Sequence, residues 1–285
     1  MKTIKLLAAS LVISILGVAC SNDDNDNEVP EITDVTVLEY CPAPGQFINE
    51  NMKCSTMAEA NAWAQEQFKK GGYVSLGSFG GYISVKMPKA IKNRNGYDFG
   101  IIGNPFEGSS EPGIVWVSED TNGNGIADDT WYELKGSDNT EKGYKVTYYR
   151  PSEPGSIRWT DNKGAEGTID YLPQYHAQMY YPAWITEDTY TLTGSMLYPR
   201  TVEEGGVWKN KSFGWGFADN MGSDMAKTNS GSYRYNQFEL DNAIDAEGNP
   251  VDLTQIHFVK IQNAILQNAG IIGEVSTEIV GFKVF

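Results

Sequence analysis

The sequence is short of histidine, cysteine and positive charge. Of 285 residues only His176 and His257 carry an imidazole, and only Cys20, Cys41 and Cys54 carry a thiol. No His-Glu-x-x-His zinc pattern, Gly-x-Ser-x-Gly elbow or phosphate loop is present, and nothing suggests a nucleophile–base pair. His257 lies in an apolar run and reads as a sheet histidine. His176 lies in Gln174–Tyr181 and is the better candidate for contact with a ligand. Lys and Arg total 22 against 37 Asp and Glu, a net charge of −15. Such a balance repels phosphate, which argues against nucleic acids and anionic membranes as partners. No fixed-period repeat stands out, so solenoids and propellers are not expected.

Long apolar runs are missing too, except at the start. Lys2 and Lys5 precede the apolar stretch Leu6–Val18, which is too short for a membrane-spanning helix. Leu16-Gly17-Val18-Ala19-Cys20 follows, with small residues before a cysteine, in the manner of a lipoprotein signal peptide. Residues 1–19 are therefore expected to be removed and Cys20 to be lipidated. Without Lys2 and Lys5, 20 basic side chains face 37 acidic ones, a balance of −17. Ser21–Glu28 holds no apolar residue and reads, within residues 20–34, as an acidic solvated tether. Residues 35–285 then form one expected domain. Cys41 and Cys54 remain, either as a disulfide worth about 3 kcal/mol in an oxidising exterior or as two buried thiols.

What the sequence has in plenty is aromatic residues, glycines and short branched runs. One helix is expected, opened by Thr56 and Glu59 as a capping box, running from Ala60 to Lys70 and stopped at Gly71-Gly72. The rest reads as strands: Tyr73–Leu76, Tyr82–Met87, Tyr97–Ile102, Gly113–Ser118, Trp131–Leu134, Tyr144–Tyr149 and Tyr190–Leu192. Gln237–Leu240, Ile256–Ile261 and Glu278–Phe285 complete the set, with a turn at Asp245–Pro250. The expected fold is all-β, a jelly-roll-like β-sandwich with one short N-terminal helix.

The sharpest motif is Asp120-Thr121-Asn122-Gly123-Asn124-Gly125-Ile126-Ala127-Asp128-Asp129. Oxygen side chains at 120, 122 and 124, a turn at Gly125 and a carbonyl at Ile126 suit a hard cation that takes six to eight oxygens. Asp128 and Asp129 add carboxylate. The twelfth position is Trp131 where an EF-hand has Glu, so the site is expected to bind structural calcium weakly, on the order of 10⁻⁴–10⁻³ M. A metal-free Asn-Gly hairpin is the alternative.

Several of these segments resemble a group of Bacteroidetes cell-surface lipoproteins labelled PKD-like. Pro42–Asn49, Ser75–Ile83, Tyr97–Phe99, Gly103–Phe106, Ser110–Val117, the 120–129 loop with Trp131–Leu134, Phe213–Asn220 and Phe258–Gln262 carry the resemblance. The acidic stretch after Cys20 resembles the surface-export signal of such lipoproteins. The pattern is also similar to galactose-binding-like jelly rolls. The resemblance implies outer-membrane attachment at the cell surface and a ligand-binding rim, and some relatives are linked to corrinoid uptake by an outer-membrane transporter.

Tyr181, Trp184, Trp208, Trp215 and His176, with the Phe213–Phe217 segment, are the candidate rim for a glycan or other small ligand. Glycoside hydrolysis needs only two carboxylates, and Asp98 and Glu111 beside glycine-rich turns are the candidates. Binding rather than catalysis is the expected role.

Overall fold

Strand Gly113–Ser118 explains the layering, because its residues alternate between two cores. Val115 and Val117 point into the main core, while Ile114 and Trp116 point into a second cluster with Leu197, Phe213, Phe217 and Ile265. A strand apolar on both sides is covered on both sides. The computed structural model describes residues 34–227 and 234–285, so the expectations for residues 1–19 and Cys20, and all of the tether but Asp34, lie outside the described residues.

Gly113–Ser118 belongs to a six-stranded antiparallel sheet. Its order is Thr36–Cys41, Tyr82–Lys92, Gln255–Asn263, Gly113–Ser118, Trp131–Leu134 and Ala243–Ile244. A four-stranded antiparallel sheet, ordered Met225–Lys227, Arg234–Phe238, Phe99–Gly103 and Gly281–Val284, shares the main core with it. Ile83, Val85, Val259 and Ile261 come from the first sheet, and Phe99, Ile101, Phe238 and Phe282 from the second. Helix Met57–Lys70 lines the same core with Ala60, Ala64 and Phe68, and the Phe68 ring meets Phe282 edge-on at 5.8 Å. Another four-stranded sheet, ordered Thr189–Met196, Glu141–Tyr149, Ile157–Asp161 and Glu166–Ile169, builds its own core around Tyr148, Tyr180 and Tyr181. This is the all-β sandwich with one short helix that the pattern of short branched runs predicts.

The helix follows its sequence signals. Thr56 Oγ1 accepts from Glu59 N at 3.2 Å, Glu59 Oε2 accepts from Thr56 N at 3.2 Å, and Gly71 ends the helix at φ 65°. Two hairpins lie outside the expected strands, one through Asn162–Gly164 and one through Gly205-Gly206, joining Thr201–Glu204 to Val207–Asn210. Their strands are short and mix polar with apolar residues, as in Thr201–Glu204 and Val207–Asn210, which leaves little apolar alternation to detect. Strand Thr36–Cys41, at the edge of the six-stranded sheet, is a further addition.

Asn263 ties the layers together. Fully buried, it donates from Nδ2 to Gly77 O at 2.6 Å and Val275 O at 2.8 Å, while Oδ1 accepts from Ile265 N at 3.2 Å. Asn263→Ala strands several buried polar groups at once. The expected loss is about 2–4 kcal/mol in chemical denaturation, and a loss below about 0.5 kcal/mol, the scale of an ordinary surface substitution, contradicts the assignment.

Candidate functional site

The densest chemistry lies where three chain segments meet at the end of strand Phe99–Gly103. Asp219 has its backbone in the left-handed region, φ 54°, and is nearly fully buried. Its Oδ1 accepts from Asn104 N at 3.0 Å and its Oδ2 from Glu278 N at 2.9 Å. Gly103 makes room for this, since a Cβ there would stand 2.7 Å from Asp219 Oδ1 and 3.1 Å from Glu278 O. Glu111 is held alongside: its N donates to Asp219 O at 2.9 Å, and Thr277 Oγ1 donates to its carbonyl at 2.8 Å.

One carboxylate oxygen each from Glu111, Asp219 and Glu278 lies within 4.8 Å of the other two. Glu278 is 7 % exposed, and its Oε1 is buried without a hydrogen-bond partner. Glu274, nearby in the chain, accepts from Gln46 N at 2.8 Å through Oε1, while its Oε2 has no partner. Among the described residues no Lys or Arg forms an ion pair with any of these four acids. Burial is the first cause of their altered acidity, and it pushes Glu278 up to about 7 and Glu274 up to about 8. Burial, reinforced by the neighbouring carboxylates, raises Glu111 and Asp219 well above the usual range.

Glu278 and Asn104 open onto a cavity of about 520 Å³, whose walls include Phe47, Trp63, Tyr73 and Glu50. Phe47 and Tyr73 are 36 % and 53 % exposed, so their rings are open to solvent. His176 stands behind the wall, its ring edge-on to Phe47 at 4.9 Å and its Nδ1 2.6 Å from Glu50 Oε1.

The residues singled out for an aromatic rim fall elsewhere, His176 apart. Tyr181 and Trp184 are 1 % and 7 % exposed and sit in separate hydrophobic cores, so neither is a rim residue. Phe213 and Phe217 are likewise buried, packed edge to face at 5.5 Å. Trp208 is half-buried on its hairpin against Gly270. Trp215 lines a different cavity, of 390 Å³, with Tyr97, Lys135 and Asp224. Tyr181, Trp184, Phe213 and Phe217 fill three cores, and the expected convergence does not occur. Cys41 and Cys54 are both buried free thiols, so the disulfide is corrected to the alternative. Cys41 Sγ faces Glu39 at 3.7 Å, whereas Cys54 packs into the main core. Asp98 accepts from Arg94 N and Leu240 N at 2.7 and 2.8 Å, and it is not among the clustered acids.

In the 120–129 loop, Gly125 N donates to Asp120 Oδ2 at 2.8 Å, which curls the chain back on its first residue. Asn122 Oδ1 accepts from Asn124 N, and Asn124 Oδ1 from Ile126 N, at 2.9 and 2.7 Å. Asp120 Oδ1 is buried without a partner. Asp128 accepts from the Asn124 amide, Asp129 is engaged by Thr121, and Lys86 Nζ donates to Gly125 O at 3.1 Å. Asp120, Asp128 and Asp129 do not bring three oxygens as close together as the Glu111 set does.

Sequence reasoning named Glu111 but missed Asp219, Glu274 and Glu278. The available signal was Glu278 itself, an acid directly before Ile279-Val280 in the C-terminal strand segment. The chain has no match among family models or curated proteins.

Glu274 generates a pH prediction. Its carboxyl is protonated in the folded protein up to about pH 8, but ionises near 4.3 when unfolded. The unfolded state therefore binds fewer protons between these values, and stability rises as pH falls through that window. In chelator, the melting temperature is expected to climb from pH 8.5 to about pH 5.5, and Glu274→Gln to flatten part of the climb. An equal slope in both proteins contradicts the assignment.

Proposed function

We propose that the protein is a lipid-anchored surface protein that binds a glycan or similarly polar small ligand in the cavity walled by Phe47, Trp63 and Tyr73. The observation that carries this reading is the juxtaposition of open aromatic rings with polar edges. Phe47 and Tyr73 offer ring faces, while Glu50, Asn51, Gln67 and Asn104 offer hydrogen-bonding groups around the same space. Sugars have an apolar face and a ring of hydroxyls, and such a wall matches both. Attachment through Cys20 rests on Lys2, Lys5 and the apolar run before the cysteine, and placement at the outer membrane rests on the resemblance of the acidic stretch after Cys20 to a surface-export signal.

Glycoside hydrolysis needs two carboxylates flanking the scissile bond. Glu50 and Glu278 both line the cavity, but Glu50 is engaged by His176 Nδ1 at 2.6 Å and Glu278 is more than nine-tenths buried, which favours binding.

Structural calcium in the 120–129 loop belongs to the proposal. The bond from Gly125 N to Asp120 leaves Asp120 Oδ1 buried and unsatisfied, a position a cation would fill. The amide oxygens of Asn122 and Asn124 each keep a second lone pair beyond the backbone N–H they accept. Ile126 supplies a carbonyl and Asp128 a carboxylate, with Asp129 able to join by releasing Thr121. The loop residues Gly125–Ala127 also wall a groove containing Trp131 and Lys260, so an ion here fixes surface shape.

Two measurements test this. Titration with a glycan panel and with cobalamin is expected to quench tryptophan fluorescence saturably for a glycan, and Tyr73→Ala or Phe47→Ala to weaken binding at least about tenfold, or 1.4 kcal/mol. A response to cobalamin alone turns the reading to corrinoid capture with a transporter partner, and no response to either sinks ligand capture. Separately, calcium is expected to raise the melting temperature of chelator-treated protein, with Asp120→Ala reducing the rise. An unchanged wild-type melting curve removes the loop ion.

A further inference from the structure

We infer that Glu111, Asp219 and Glu278 form a second site for a hard divalent cation, separate from the 120–129 loop and reached through the aromatic cavity. The argument begins with distance. A calcium ion lies 2.3–2.6 Å from its oxygen ligands, so oxygens sharing one ion lie at most about 5 Å apart. The three carboxylates meet that condition, one oxygen each, within 4.8 Å.

The Asp219 carboxylate and the backbone that carries Glu111 are also fixed in place before any ion arrives. Asp219 is clamped by the backbone N–H groups of Asn104 and Glu278, and Glu111 by its own N–H to Asp219 O and by Thr277 Oγ1 on its carbonyl. A preset array loses little conformational freedom on binding. Only oxygen donors are present, without thiol or imidazole, which selects calcium, magnesium or manganese over softer metals.

The independent sign of a missing partner is Glu278. More than nine-tenths buried, it belongs to the set of three and has an Oε1 that no donor satisfies. A buried polar atom in that condition is costly unless something answers it. No Lys or Arg forms an ion pair with the cluster among the described residues. Glu278 and Asn104 both line the 520 Å³ cavity, which gives an ion and its remaining waters a route from solvent. The competing arrangement is an acid trio that shares protons and binds nothing.

Manganese distinguishes the two, because the free aqueous ion is counted directly by its electron paramagnetic resonance signal. Metal-stripped wild-type protein, Asp120→Ala and Glu278→Gln are titrated with Mn²⁺, then challenged with Ca²⁺. Asp120→Ala is expected to keep one equivalent that calcium displaces, and Glu278→Gln to lose it or weaken it at least tenfold. If the loop binds no metal, wild type and Asp120→Ala behave alike, each with the equivalent that Glu278→Gln loses. Should Glu278→Gln not fold, as judged by circular dichroism, Glu111→Gln takes its place. Absence of any bound manganese in wild type and Asp120→Ala, or undiminished binding in the folded acid variant, overturns the site.

Discussion

The Asp219 carboxylate, reaching from a left-handed backbone to the N–H groups of Asn104 and Glu278, is the contact on which the surrounding architecture depends. It joins the end of strand Phe99–Gly103 to the segment that carries Glu274 and Glu278, and it does so from the loop that follows Phe217. Among the described residues only Asn49 and Asp219 adopt a positive φ without being glycine. That conformation costs about 1–2 kcal/mol. The two backbone hydrogen bonds to its side chain contribute about 0.5–1.5 kcal/mol each, which offsets the strain. Gly103 completes the arrangement, since any side chain there collides with the carboxylate it helps to seat.

Fixing Asp219 draws Glu278 and Glu111 inward with it. Glu111 donates its N–H to the Asp219 carbonyl, and Glu278 donates its N–H to the Asp219 side chain. Both side chains are then committed to the same small volume. The fold thus gathers acids through their backbones, and the repulsion between their side chains is a consequence that must be met by protons or by a cation.

The fold class was legible because the evidence for it is local. Thr56 and Glu59 close a capping box within four residues, and Val115 and Val117 alternate with Ile114 and Trp116 within one strand. The site was not legible, because its members are 111, 219 and 278, brought together by long-range pairing that no spacing records. The aromatic rim failed for a related reason. Tyr181 and Trp184 look like platforms in a polar, proline-containing segment, but the fold needs large rings to fill cores behind both faces of its sheets. Composition says that aromatics are abundant; only burial says which remain over for a ligand. Phe47 and Tyr73, which do face solvent, stand in turns and strand ends where no periodic signal marks them.

The distribution of positive charge gives the acid cluster its meaning. Lys260, on the central strand Gln255–Asn263, is drawn in among the rings of Tyr82, Trp116 and Trp131, at 5.8, 4.9 and 5.2 Å, and burial lowers its pKa. Lys283 lies over Tyr235 and Phe285, and Arg200 lies over Phe213 while also meeting Asp138. These cations are thus matched to aromatic faces, and the ion pairs involve surface acids. In a chain with an acidic excess, no Lys or Arg among the described residues forms an ion pair at the seam where Glu111, Asp219 and Glu278 meet. Short of protonation, a small mobile cation is the counter-charge that can enter such a space without a side chain to carry it, and the cavity beside Glu278 offers a way in.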